Sequence, residues 1–108
     1  MNSIFNSATL LHDSPTVGMG GTMLYWSDRH AFTVTRVSDS GKTAWIVMDE
    51  EVRIDKNGMS ESQIYSYNPG SGGEIEVRLS KNTQWHQGGV KGRKVSFGRR
   101  DTYHDFSF

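Results

Sequence analysis

The 108-residue sequence contains no cysteine. That excludes disulfides, thiolate zinc sites and cysteine nucleophiles, and it fits a reducing, cytoplasmic setting. Prolines number two against twelve glycines, a balance that favours short strands and tight turns over long helices. Net charge is also missing: twelve Lys and Arg offset twelve Asp and Glu. The whole-protein field therefore makes no strong case for a nucleic-acid binder. No apolar run approaches the ~20 residues of a transmembrane helix. The N-terminus lacks a basic segment leading into an apolar one, so neither a membrane span nor a signal peptide is expected. Hydrophobic residues make up only 34% of the chain. A small core built on five Phe, four Tyr and three Trp is the consequence.

What is present reads as strands. Residues 1–17 form a polar N-terminal arm, flexible or docked as an extra strand. Val17 to Gly21 is glycine-rich but lacks the lysine and following helix of a phosphate-binding loop. Thr22 to Trp26, Ala31 to Val37 and Thr43 to Met48 alternate and are rich in β-branched and aromatic residues, which predicts a three-strand meander. Asp49 to Gln63 is polar, and its Asp55-Lys56-Asn57-Gly58 reads either as a hairpin turn or as the start of a longer surface loop running on to Gln63. Ile64 to Tyr67, Glu74 to Leu79, Thr83 to His86 and Lys94 to Phe97 resume the alternation. The tail from Tyr103 to Phe108 alternates aromatic and polar residues and is expected to dock as an edge strand or at a subunit contact. No 3.6-residue periodicity of useful length occurs. The expected fold is all-β: one small, strongly bent, SH3-like barrel of six or seven short strands over residues 18–108.

Two clusters combine Arg, His and Asp with neighbouring aromatics. Tyr25, Trp26, Asp28, Arg29 and His30 fall at the first hairpin connection, where loops carry function. Arg99, Arg100, Tyr103, His104 and Asp105 form the second. A folding turn needs only Gly, Asn, Asp or Ser, so an Arg beside a His is chemically conspicuous. Metal chemistry is not expected, because His30, His86 and His104 have no ligand spacing and the Asp55-x-Asn57 pair lacks the rest of a calcium loop. No Gly-x-Ser-x-Gly elbow is present. Nucleotide binding fits better. Tyr25, Trp26, Tyr65, Tyr67, Trp85 or Tyr103 offers a stacking plane, and Arg29, Arg53, Arg78, Arg99 or Arg100 offers a fork for phosphate. His30, Asp55, Asn57, Ser60, Glu61 and Gln63 offer partners for a sugar or base edge. Met59 within so polar a loop suggests that the loop packs down as a lid.

Three strings carry a resemblance. Tyr25-Trp26-Ser27-Asp28-Arg29-His30-Ala31, the run from Arg53 through Asp55-Lys56-Asn57-Gly58-Met59 to Gln63, and Tyr103-His104-Asp105-Phe106-Ser107-Phe108 resemble a family of small phage and prophage proteins. The resemblance spans residues 18–108. It implies the cytoplasm of an infected bacterium. In size and β-rich character such proteins are similar to small viral proteins that sequester cyclic nucleotides or ADP-ribose-derived signals of bacterial immunity. The expectation is an anti-defence sponge: a homo-oligomeric, non-enzymatic protein without cofactor that captures a phosphorylated nucleotide-derived ligand. The rivals are an SH3-like protein-interaction module acting on a host protein, a small metal-dependent phosphodiesterase using Asp28, His30, His104 and Asp105, and single-stranded nucleic-acid binding by the basic Lys81 to Arg100 segment.

Overall fold

The computed structural model describes residues 14–81, 84–88 and 92–106. Six strands close into an antiparallel barrel and two more form a separate ribbon. In chain order they are β1 (Gly20–Leu24), β2 (Arg29–Val37), β3 (Thr43–Met48), β4 (Glu50–Arg53), β5 (Tyr65–Asn68), β6 (Ile75–Leu79), β7 (Trp85–Gln87) and β8 (Lys94–Phe97). The barrel order is β1-β2-β3-β6-β7-β8, and β8 returns to β1 through Gly21–Phe97, Thr22–Ser96 and Met23–Val95. Closure leaves the barrel no free edge. Every barrel strand lies beside its successor, so the barrel is a meander interrupted once, by residues 49–74, which contain the ribbon.

Alternation selects the inward side chains. Ala44 and Ile46 of β3, Val95 and Phe97 of β8, and Val77 of β6 are buried, as are Met23, Phe32, Val34 and Trp85. Phe97 stands near-perpendicular to both Phe32, with centroids 5.7 Å apart, and Trp85, at 5.1 Å. Three rings, Phe32, Trp85 and Phe97, pack among six aliphatic or Met side chains in this core, and edge-to-face packing adds roughly 0.5–1.5 kcal/mol per pair beyond burial. The β2–β3 register shifts between Val34 and Arg36, leaving Thr35 as the extra residue of a bulge. A bulge bends its strand and re-aims a side chain, and here Thr35 Oγ1 donates to Glu74 Oε2 at 2.7 Å.

The small all-β barrel expected from the sequence is present. The differences are local. Residues 50–53, not assigned to a strand from the sequence, are strand β4, which pairs with β5 from Glu50–Asn68 to Arg53–Tyr65. Arg29 and His30, expected in the first hairpin connection, are the first residues of β2, and the connection is Tyr25–Asp28. Tyr103 adds a single bridge to Arg29, exchanging backbone hydrogen bonds of 2.8 and 2.9 Å. The rest of the expected tail strand, Ser107 and Phe108, lies outside the described residues, as do residues 1–13 of the N-terminal arm and residues 82–83 and 89–91. Among the described residues no helix is long and apolar enough to cross a membrane.

Candidate functional site

The three segments singled out from the sequence meet where the ribbon joins the barrel. Asp28, in the β1–β2 connection, reaches the chain's C-terminal segment: Asp105 N donates to its Oδ1 at 2.9 Å, and His104 Nδ1 lies 3.2 Å from its Oδ2. His30 Nδ1 lies 2.8 Å from Glu51 Oε1 on β4. Glu51 Oε2 accepts from Ala31 N and from Thr102 Oγ1, both at 2.6 Å. One carboxylate thus ties the ribbon to β2 and to the segment after β8. Gln63 completes the junction. Its Nε2 donates to His104 O at 2.7 Å, and its Oε1 accepts from His104 N at 2.9 Å and from Tyr65 Oη at 2.7 Å. The side-chain amide pairs with His104 as a neighbouring strand would.

The loop between β4 and β5 is built the same way. Asp55 Oδ2 accepts from Arg53 Nε at 2.8 Å and Ile64 N at 2.7 Å, and its Oδ1 accepts from Asn57 N at 2.8 Å. These donors, Arg53 first, hold the Asp55 carboxyl well below the usual carboxylate range. Asn57 Nδ2 donates to Ser62 O, and Ser62 N to Ser60 Oγ. The acceptors and donors that suggested ligand contacts therefore close the loop and fasten it to the tail. Met59 does not pack down: it is 73% exposed.

Some of the candidate residues line three separate cavities. Arg29 and Arg99 line a hollow of about 250 Å³ with Thr22, Leu24, Ser96 and Asp101. Arg29 is 3.3 Å from Asp101 Oδ2, and its guanidinium lies 4.9 Å from the centre of the Tyr103 ring. Met59, Ser60 and Glu61 line a second hollow of about 310 Å³ with Tyr103, Asp105 and Phe106. Its two carboxylates disfavour phosphate. Tyr25 stands edge-on to His30 with Arg93 over its ring, and Trp26 is almost fully exposed at the tip of the connection. Burial raises the Tyr103 phenol above its ordinary pKa.

The largest of the three is a cleft of about 540 Å³ between barrel and ribbon. The barrel supplies Thr33, Thr35 and Val47, the break after β3 supplies Asp49, the ribbon supplies Tyr67, and Arg100 enters from the segment after β8. Arg100 Nε donates to Asp49 Oδ2 at 2.7 Å and Nη2 to Thr33 Oγ1 at 2.8 Å; Thr33 Oγ1 donates in turn to Asp49 Oδ1 at 2.6 Å. The Arg100 guanidinium lies 6.0 Å from the Tyr67 ring centre. Gly20 makes room for Arg100, because a Cβ there would run into the guanidinium. Of the residues expected to meet a ligand, Arg100 and Tyr67 line this cleft. Thr33 and Asp49 carry no sequence signal of their own, since one lies mid-strand and the other in the break between β3 and β4. Tyr67 was legible as an aromatic in a short strand.

Among the described residues no three His, Asp or Glu side chains are grouped to hold a metal ion. Comparison with protein-family models, curated proteins and solved structures finds no match.

Proposed function

We propose that this protein binds a small molecule in the cleft between barrel and ribbon, and that the ligand is nucleotide-derived and phosphorylated. The observation that carries this reading is the cleft itself. Its volume of about 540 Å³ lies in the range of small-molecule sites, and it combines apolar walls with a few convergent polar groups. Val47 and the Tyr67 ring offer surface to a flat heterocycle. Thr33 and Thr35 offer hydroxyls to its edge. Arg100 uses two of its N–H donors on Asp49 and Thr33, and the others remain to meet a phosphate oxygen. Asp49 offsets the arginine's charge, so the ring supplies more of the binding than the phosphate does. Holding a ligand needs only this complementarity, whereas turnover would need an activated nucleophile or water. A sponge carried by a phage against a nucleotide immune signal is the biological role consistent with such a site.

The test is a thermal-shift and native mass-spectrometry screen against pooled cyclic and ADP-ribose-derived nucleotides. A retained ligand of unchanged mass is expected, with affinity falling about tenfold or more in Arg100→Ala, the loss of about 1.4 kcal/mol of binding. No retained ligand and no shift with any nucleotide would overturn the reading, and a ligand recovered as fragments would replace capture with turnover.

A further inference from the structure

The ribbon turns one face to the barrel and leaves the other uncovered. Along residues 50–56 exposure alternates without a break: Glu50, Val52, Ile54 and Lys56 point outward, and Glu51, Arg53 and Asp55 inward. On the neighbouring strand Ser66 stands opposite Val52, and Ile64 lies beside Ile54, whose N donates to Ile64 O at 2.9 Å. Val52, Ile54 and Ile64 are 46%, 58% and 57% exposed and form one apolar patch. Its ends carry opposite charges, Glu50 at one and Lys56 at the other. The ion pairs described in this region are His30–Glu51, Arg53–Asp55 and Arg100–Asp49, none of which uses either residue.

We infer that this face is the contact between two copies of the chain, related by a two-fold axis crossing β4 level with Arg53. The order acid, apolar, apolar, base is its own complement when reversed. With the two faces stacked and turned end for end, Glu50 meets Lys56 of the partner subunit and Val52 meets Ile54 of the partner subunit. The same two contacts recur on the other side of the axis, as an isologous interface requires. A two-stranded ribbon is marginal by itself, and a second layer covers the apolar face it otherwise exposes. The patch is smaller than a standard stable interface, so the dimer is weak and depends on concentration. The cleft lies toward the opposite face of the ribbon, and this inference stands apart from ligand binding.

Sedimentation velocity of the full chain from about 5 to 500 µM tests it, a range that brackets a weak dimer. A monomer–dimer equilibrium is expected. Ile54→Lys should remain monomeric throughout with an unchanged circular dichroism spectrum. Glu50→Lys alone and Lys56→Glu alone should each weaken self-association, because like charges then face one another across the axis. Mixing these two variants should restore the dimer, since every pair is again opposite. A wild-type chain that stays monomeric, a dimer that survives Ile54→Lys, or a mixture no tighter than either variant alone would each overturn the assignment.

Discussion

Gln63 shows how a single residue can be read in two ways. Its amide was a candidate for a sugar or base edge, yet it satisfies both backbone groups of His104 and the Tyr65 hydroxyl. A ligand and a peptide group demand the same donor and acceptor, so residue type alone does not separate them. The same holds for Asp28 and Asp55, whose oxygens accept from backbone amides. Gln63→Ala hands its exposed partners on His104 to water, and a loss of roughly 0.5–1.5 kcal/mol is expected. Hydrogen exchange should show the loss first at His104 and Asp105. Gly20 yields a sharper prediction. In Gly20→Ala the new methyl displaces Arg100, and the almost fully buried Asp49 carboxylate loses its cation. Ligand affinity should fall as far as it does in Arg100→Ala, measured by the same thermal shift, while the barrel stays folded.

Among the elements, those that line the barrel were legible and the ribbon was half legible. β3 and β8 alternate between apolar inward and other outward residues, and the structure gives them the expected bounds. β4 carries no core-facing strand signal, because its inward residues are Glu51 and Arg53, while its apolar residue Val52 faces out. Hydrophobic periodicity finds a strand by the core it faces. This strand faces a polar junction, where His30 and Asp55 take the place of a core. A ribbon held by charge should respond to acid. The Asp55 carboxyl is lowered in the folded chain, chiefly by Arg53 and then by the Ile64 and Asn57 amides. Its contribution is therefore fully present above the unfolded value of about 3.9 and is lost as pH falls below it toward the folded value. Glu74, lowered by Arg36 and Thr35, follows the same sign. Protection of the Asn57 and Ile64 amides, taken relative to intrinsic exchange at each pH, should fall in acid before that of Phe32 or Ile46 does. In Asp55→Asn that difference should shrink, with the ribbon amides already less protected at neutral pH.

For the whole molecule, stability resides in the barrel. Phe32 is fully buried and meets Phe97 edge-on, so Phe32→Ala should cost about 3–5 kcal/mol. That is a large part of the 5–15 kcal/mol typical of a domain, and a urea titration should show the midpoint fall accordingly. The outline of the barrel followed from composition and alternation, whereas the positions of the cavities did not. Arg99 and Arg100 are neighbours in sequence but open onto different hollows, and they lie after β8, outside any strand whose alternation would have placed them.

The meander interrupted by residues 49–74 has one more consequence. β3 and β6 are hydrogen-bonded neighbours, and Gly70 sits directly against the Met48 carbonyl, where even a methyl would not fit. The chain leaves the barrel and comes back at nearly the same point. Topologically the ribbon is a hairpin nested inside another hairpin. The entropy of closing a loop grows only with the logarithm of its length, about 0.6 kcal/mol for each doubling. The outer hairpin is therefore nearly indifferent to what its loop contains. A chain whose nested hairpin is replaced by a short turn should still close its barrel, and ribbons of other lengths and sequences can be carried there at little thermodynamic expense.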